Sequence, residues 1–150
     1  MSICFLQFYA GHKRDRHEYY ILDVKIRSSG SVKKILIVDD QQGIRLLLNE
    51  IFKNEGYETF LASNGIEAVQ YVDNNVIDCA LLDMKIPGMN GLEILKHIKS
   101  LFKELPVVMM TGNGDTDLIH RAKELGANHF FTKPFDIFEV KDTINKLIQE

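Results

Sequence analysis

From residue 33 onward, apolar and polar positions fall into two alternating patterns. KKILIVD (33–39) is a short apolar run rich in β-branched residues and reads as a buried strand. Over 42–55, Ile44, Leu47, Leu48 and Ile51 recur at helical spacing, and Gly56 follows as a helix stop. The alternation then repeats. YETFLA (57–62) predicts a second strand, and a helix over 65–74 follows the turn Ser63-Asn64-Gly65. VIDCALLD (76–83) predicts a third strand, and a loop with Pro87, Gly88 and Gly91 opens a helix over 91–102. PVVMMT (106–111), a helix over 115–125 ended by Gly126, NHFFT (128–132) and a helix over 136–149 complete the series.

Five strand–helix units in succession define an α/β fold. Short strands that are apolar on both faces require a parallel sheet covered by helices on both sides. Each crossover is then right-handed. The Ser/Gly cluster from Ser28 to Ser31 reads as a linker that separates residues 32–150 from an N-terminal extension, residues 1–31. The extension holds one alternating stretch, YYILDVKIR, and one strand cannot stand alone, so poor order is expected there.

Composition narrows the class. The chain has 150 residues, 45% hydrophobic and 26% charged, which suits one globular domain with a real core. Its formal net charge of −3 argues against a general nucleic-acid binder. No apolar run approaches a membrane span, and the N-terminus lacks a basic start for a secretory signal. Two cysteines make neither a disulfide framework nor a zinc site, so a reducing cytoplasm is the expected compartment.

In an open α/β sheet, ligands bind beyond the carboxyl ends of the strands. Asp39 and Asp40 follow the first predicted strand, Asp83 ends the third, Thr111 ends the fourth and Lys133 follows the fifth. Clustered carboxylates raise one another's pKa unless cations intervene. Lys133 supplies one cation, and a hard divalent ion with oxygen ligands would supply another. Mg2+ suits such a site, which is built for phosphoryl transfer with one carboxylate as nucleophile. Each signal alone has an ordinary reading. A strand-end Asp is commonly a helix N-cap, a strand-end Thr a turn residue, and a Lys before Pro a solvated side chain. The specificity lies in their order on successive strand ends.

The stretches ILIVDD, LLDMKIPGMNG, VVMMTGNG and FFTKPF resemble the receiver domain of two-component response regulators over residues 33–149. The longer stretches ILIVDDQQGIRLLLNEIFKNEGYETF and LLDMKIPGMNGLEILK look like single-domain receivers of the sporulation phosphorelay. The resemblance implies a flavodoxin-like receiver fold, a five-stranded parallel sheet of order 2-1-3-4-5 with helices on both faces. It implies that Asp83 is the phosphoacceptor. Mg2+, or Mn2+ in its place, would be held by Asp40, by Asp39 through water, by Asp83 and by the backbone carbonyl of Lys85. Thr111 would hydrogen-bond the phosphoryl group and act as a switch, and Lys133 would pair with its charge. Lys133-Pro134 would be a cis peptide. The aromatic switch position is Phe130, which is often Tyr in output-coupled receivers. Phe has no hydroxyl, so a Tyr-type switch is not expected.

The same likeness implies a histidine kinase and a histidine phosphotransferase as partners of a monomer, without nucleic acid or membrane. Between Ile44 and Phe52 the first helix carries more large apolar residues than a core stripe needs. Gln41, Gly43, Ile44 and Leu47, with Pro134 and Phe135, are therefore expected to form an apolar patch beside the acidic pocket, suited to a helical bundle that bears a phosphohistidine. No output domain is read after the last helix, which favours a relay. The alternatives are a stand-alone switch that binds a target when phosphorylated, as in motility control, and a metal-dependent phosphatase. Lys85 stands where the phosphatase class commonly has a second acid, which counts against it. The chain is expected to assist its own phosphorylation rather than turn over external substrates. Cys79 and the methionines read as packing residues, and His97 and His120 as solvated ones.

Overall fold

The structure, a computed structural model, describes residues 31–149. Residues 1–30 of the expected extension lie outside the described residues. The elements alternate as predicted: β1 (Lys34–Val38), α1 (Gln42–Asn54), β2 (Glu58–Ala62), α2 (Gly65–Asn74), β3 (Cys79–Asp83), α3 (Gly91–Leu101), β4 (Val107–Thr111), α4 (Thr116–Glu124), β5 (His129–Thr132) and α5 (Ile137–Gln149). All strand pairings are parallel, in the order β2-β1-β3-β4-β5.

Strand side chains alternate between two apolar layers, as the pleat requires. Leu36, Val38, Ala80, Leu82, Val107 and Met109 face one layer, which α2, α3 and α4 close through Ala68, Val72, Leu95, Ile98 and Ala122. Ile35, Ile37, Cys79, Leu81, Val108 and Met110 face the other, closed by Leu48 and Phe52 of α1 and by Val140 and Ile144 of α5. The three central strands are therefore buried on both faces, and polar groups are confined to their ends. Cys79 is a buried core residue whose thiol burial pushes up to about 12, consistent with a packing role.

The third strand starts later than its apolar run suggests. Asp78, at its foot, donates its N–H to Lys34 O and accepts from Lys34 N at 2.7 Å through its carboxylate. That side-chain bond takes the place of a ladder position, so the regular strand begins at Cys79. Helix starts are fixed locally. Asn64 caps α2 through Glu67 N, and Asn90 with Glu93 forms a reciprocal capping box on α3. His97 is not simply solvated as expected. Its Nε2 lies 2.9 Å from Asp73 Oδ1, which ties α3 to α2. Among the described residues no helix is long and apolar enough to cross a membrane.

Candidate phosphoryl-transfer site

The carboxyl ends of β1, β3, β4 and β5 lie side by side, and parallel register aligns the residues at and just past these ends. Asp83 pairs with Met110, and the ladder continues past the strand ends through Met84 N to Met110 O (2.8 Å) and Lys133 N to Thr111 O (2.7 Å). Backbone bonding thus sets Asp83, Thr111 and Lys133 on one rim. Asp39 reaches the rim at the top of β1, where its N–H donates to Ala62 O. One oxygen from each of Asp39, Asp40 and Asp83 can lie within 4.8 Å of the other two.

Asp39 and Asp83 are buried, whereas Asp40 is exposed. The Lys133 ammonium sits between the buried pair, 2.8 Å from Asp39 Oδ2 and 3.1 Å from Asp83 Oδ2. The remaining Asp39 oxygen accepts from Gln41 N at 2.8 Å, and Asp83 Oδ1 accepts a longer bond from Lys85 N at 3.4 Å. Burial and the nearby Asp39 charge raise the Asp83 carboxyl above its ordinary range, against the pull of Lys133 and the Lys85 N–H. Burial draws the Lys133 ammonium down, but the hydrogen bonds and charges of Asp39 and Asp83 outweigh it and leave it raised.

The donor set suits a hard divalent cation. It offers oxygen only, its spread is compatible with a small coordination sphere, and three carboxylates with one ammonium leave two negative charges to neutralise. Thr111 is buried at the floor, with its hydroxyl donating weakly to Phe131 O at 3.4 Å. Lys133-Pro134 is cis, as expected. Phe130 is half-buried against the α2–α4 layer, with the Lys123 ammonium 5.7 Å from its ring centroid, and presents no hydroxyl to Thr111.

The other candidate residues differ in exposure. Gln41, Gly43, Leu47 and Pro134 are exposed, Leu47 by 53%. Ile44 and Phe135 are half-buried and also pack into the α1–α5 layer, so they serve core and surface together. Leu46, one of the excess apolar residues of the first helix, and Phe138 are comparably exposed and lie outside the expected patch.

Three further residues shape the site without carrying the expected chemistry. The Arg45 guanidinium donates to the backbone carbonyl of Asp39 at 2.7 Å and braces the turn that presents Asp39 and Asp40. Gly91 packs so closely that a Cβ there would stand 2.4 Å from the Asp83 carbonyl oxygen. Asp115 binds the Lys85 ammonium at 2.8 Å and the Gly112 N–H at 3.0 Å.

Known proteins carry the same pattern. A model of the response regulator receiver domain matches residues 35–145. The chain is 53% identical over 116 residues to sporulation initiation phosphotransferase F of Bacillus subtilis, covering 77% of this chain and 94% of that protein. It is 32% identical over 117 residues to the alkaline phosphatase synthesis transcriptional regulatory protein PhoP of Bacillus subtilis, covering 78% of this chain but 49% of that protein. Among solved structures, a CheY-like receiver domain protein from Methanospirillum hungatei superposes with a TM-score of 0.77 at 29% identity, covering 79% of this chain and 95% of that one.

Proposed function

The chain belongs to the response regulator receiver domain family, and from that premise we propose that it accepts a phosphoryl group from a phosphohistidine onto Asp83 and passes it on in a phosphorelay. The observation that carries this reading is the convergence of Asp39, Asp40, Asp83 and Lys133 on one rim. The strong likeness to a protein named as a sporulation phosphotransferase supports a relay over a target-binding switch.

In the proposed step a carboxylate oxygen of Asp83 attacks phosphorus. A new O–P bond forms, the P–N bond to the donor imidazole breaks, and the nitrogen leaves with the bond's electron pair. Lys133 is placed to neutralise charge on the transferred group, because its ammonium already touches Asp83. The Thr111 hydroxyl has only a long bond to Phe131 O to give up in order to donate to a phosphoryl oxygen. Asp39, Asp40, Asp83 and the Lys85 carbonyl would hold Mg2+, which when bound supplies positive charge for carboxylate and phosphoryl oxygens. Burial of Asp83 limits water around the acyl phosphate, while Gly112 leaves its approach free of a side chain.

The partners proposed are a histidine kinase and a histidine phosphotransferase, each presenting its histidine from a helical bundle. The patch of Gln41, Gly43, Ile44, Leu47, Pro134 and Phe135 would dock them. The protein would work as a cytoplasmic monomer, with residues 1–31 an extension outside the receiver module. The test is incubation with acetyl phosphate and Mg2+, followed by phosphotransfer from a phosphorylated kinase. The full chain is expected to take up label and return it to a phosphotransferase, and Asp83→Asn to lose it. Equal labelling of that variant would assign the acceptor elsewhere.

A further inference from the structure

Lys85 poses a problem for the acidic site. It lies two residues past Asp83, and its own N–H donates to Asp83 Oδ1. Three carboxylates balanced by Lys133 alone leave a net charge of −2, matched to one divalent cation. A second ammonium entering the cluster would halve that charge and occupy the same oxygens.

The structure keeps this ammonium elsewhere. Lys85 Nζ lies 2.8 Å from Asp115 Oδ1, and the two ends of this ion pair differ sharply in exposure, 69% for Lys85 and 6% for Asp115. Asp115 occupies the N-cap position of α4 but makes no side-chain capping bond to that helix. Its carboxylate turns back instead, with Oδ2 accepting from Gly112 N at 3.0 Å. Two contacts therefore hold it rigidly, one from each loop that flanks Asp83.

We propose that Asp115 is a positioning residue that sequesters the Lys85 ammonium, so that the Asp39–Asp40–Asp83 cluster remains open to a divalent cation. This rests on the reading of that cluster as a cation site. The physical basis is competition. A flexible lysine beside a cluster of negative charge is drawn to it, and a buried, pre-oriented carboxylate is a stronger partner than water. Asp115 thus sets the cation affinity without touching the cation.

The test measures Mn2+ binding to the full-length protein by the paramagnetic resonance of the free ion, at low and at raised salt. Asp115→Asn is nearly isosteric and retains an acceptor for Gly112 N–H. It is expected to bind Mn2+ about fivefold to tenfold more weakly at low salt, with the deficit shrinking as salt rises. Adding Lys85→Met, which removes the competing ammonium, is expected to restore affinity to within about twofold of wild type. Asp115→Ser, alone and with Lys85→Met, repeats the comparison and keeps the idea testable should Asp115→Asn fold poorly. Undiminished affinity in Asp115→Asn, or a deficit that Lys85→Met fails to repair, would overturn the proposal. Absence of Mn2+ binding by the wild type would instead sink the reading of the cluster on which it rests.

Discussion

Replacing Asp83 with Asn is expected to stabilise the fold while it removes the proposed phosphoacceptor. The balance can be worked from the geometry. With an effective dielectric constant near 20, the Lys133 ammonium at 3.1 Å attracts Asp83 by about 5 kcal/mol. Asp39, whose nearest ligand oxygen lies within 4.8 Å, repels it by at least about 3.5 kcal/mol on the same scale. Asp40 adds a further repulsion that solvent weakens. The Coulomb terms nearly cancel, so burial decides the sign, and taking a carboxylate out of water costs several kcal/mol. Asn keeps the shape and can turn its one carbonyl oxygen to Lys133, giving up the longer bond from the Lys85 N–H. A net gain of about 1–2 kcal/mol is expected for the variant, or roughly 4–8 °C in midpoint for a domain of this size.

The dependence on pH and cation makes this more than a melting comparison. The Asp83 carboxyl titrates above its ordinary range in the fold because burial and Asp39 oppose its charge. Its contribution to stability is therefore present below the ordinary aspartate range and lost as pH rises through the raised folded value. Asn mimics the neutral state at every pH. Wild type and variant should match in acid, diverge as pH rises through that window, and differ fully at neutral pH in EDTA. Mg2+ should then narrow the gap, since a tenfold excess over the dissociation constant adds about 1.4 kcal/mol to whichever protein binds it. Thermal melts at several pH values, with EDTA or Mg2+, measure all of this. A variant that melts below wild type at neutral pH in EDTA would refute the reasoning, as would equal stabilisation of both by Mg2+.

Two predictions concern other parts of the site. Gly91→Ala would drive a Cβ to 2.4 Å from the Asp83 carbonyl oxygen and 2.9 Å from Met84 Cα, so backbone must move. A loss of about 2–3 kcal/mol is expected in chemical denaturation, together with slower labelling by acetyl phosphate; normal labelling would show that the Asp83 backbone tolerates the shift. Leu47→Ala is expected to change stability by less than about 0.5 kcal/mol, because the side chain is exposed, yet to slow transfer from phosphohistidine while sparing acetyl phosphate. Ile44→Ala should slow the same transfer but also destabilise, since Ile44 packs into the α1–α5 layer. Equal loss with both donors, or none, would remove the proposed docking patch.

What the sequence disclosed and what it hid separate along a physical line. Strand–helix alternation follows from which positions are apolar, and Asp39, Asp40, Asp83, Thr111 and Lys133 were legible because parallel strands carry their ends to one rim. Such features need only local pattern and a topology rule. Asp115 and Gly91 were not legible in their roles. Asp115 falls at the start of the helix predicted over 115–125, and only the folded loops turn it toward Lys85, thirty positions earlier in the chain. Gly91 reads as loop punctuation, and its closeness to the Asp83 backbone appears only once α3 packs under the end of β3. The contact of His97 with Asp73 likewise depends on how α2 and α3 are phased against each other. In each case the missing information is a side-chain direction between elements distant in sequence. The proposed reacting groups declare themselves by charge at strand ends. The residues that keep those groups in place, and keep a competing charge out, are ordinary in type and become specific only through their neighbours.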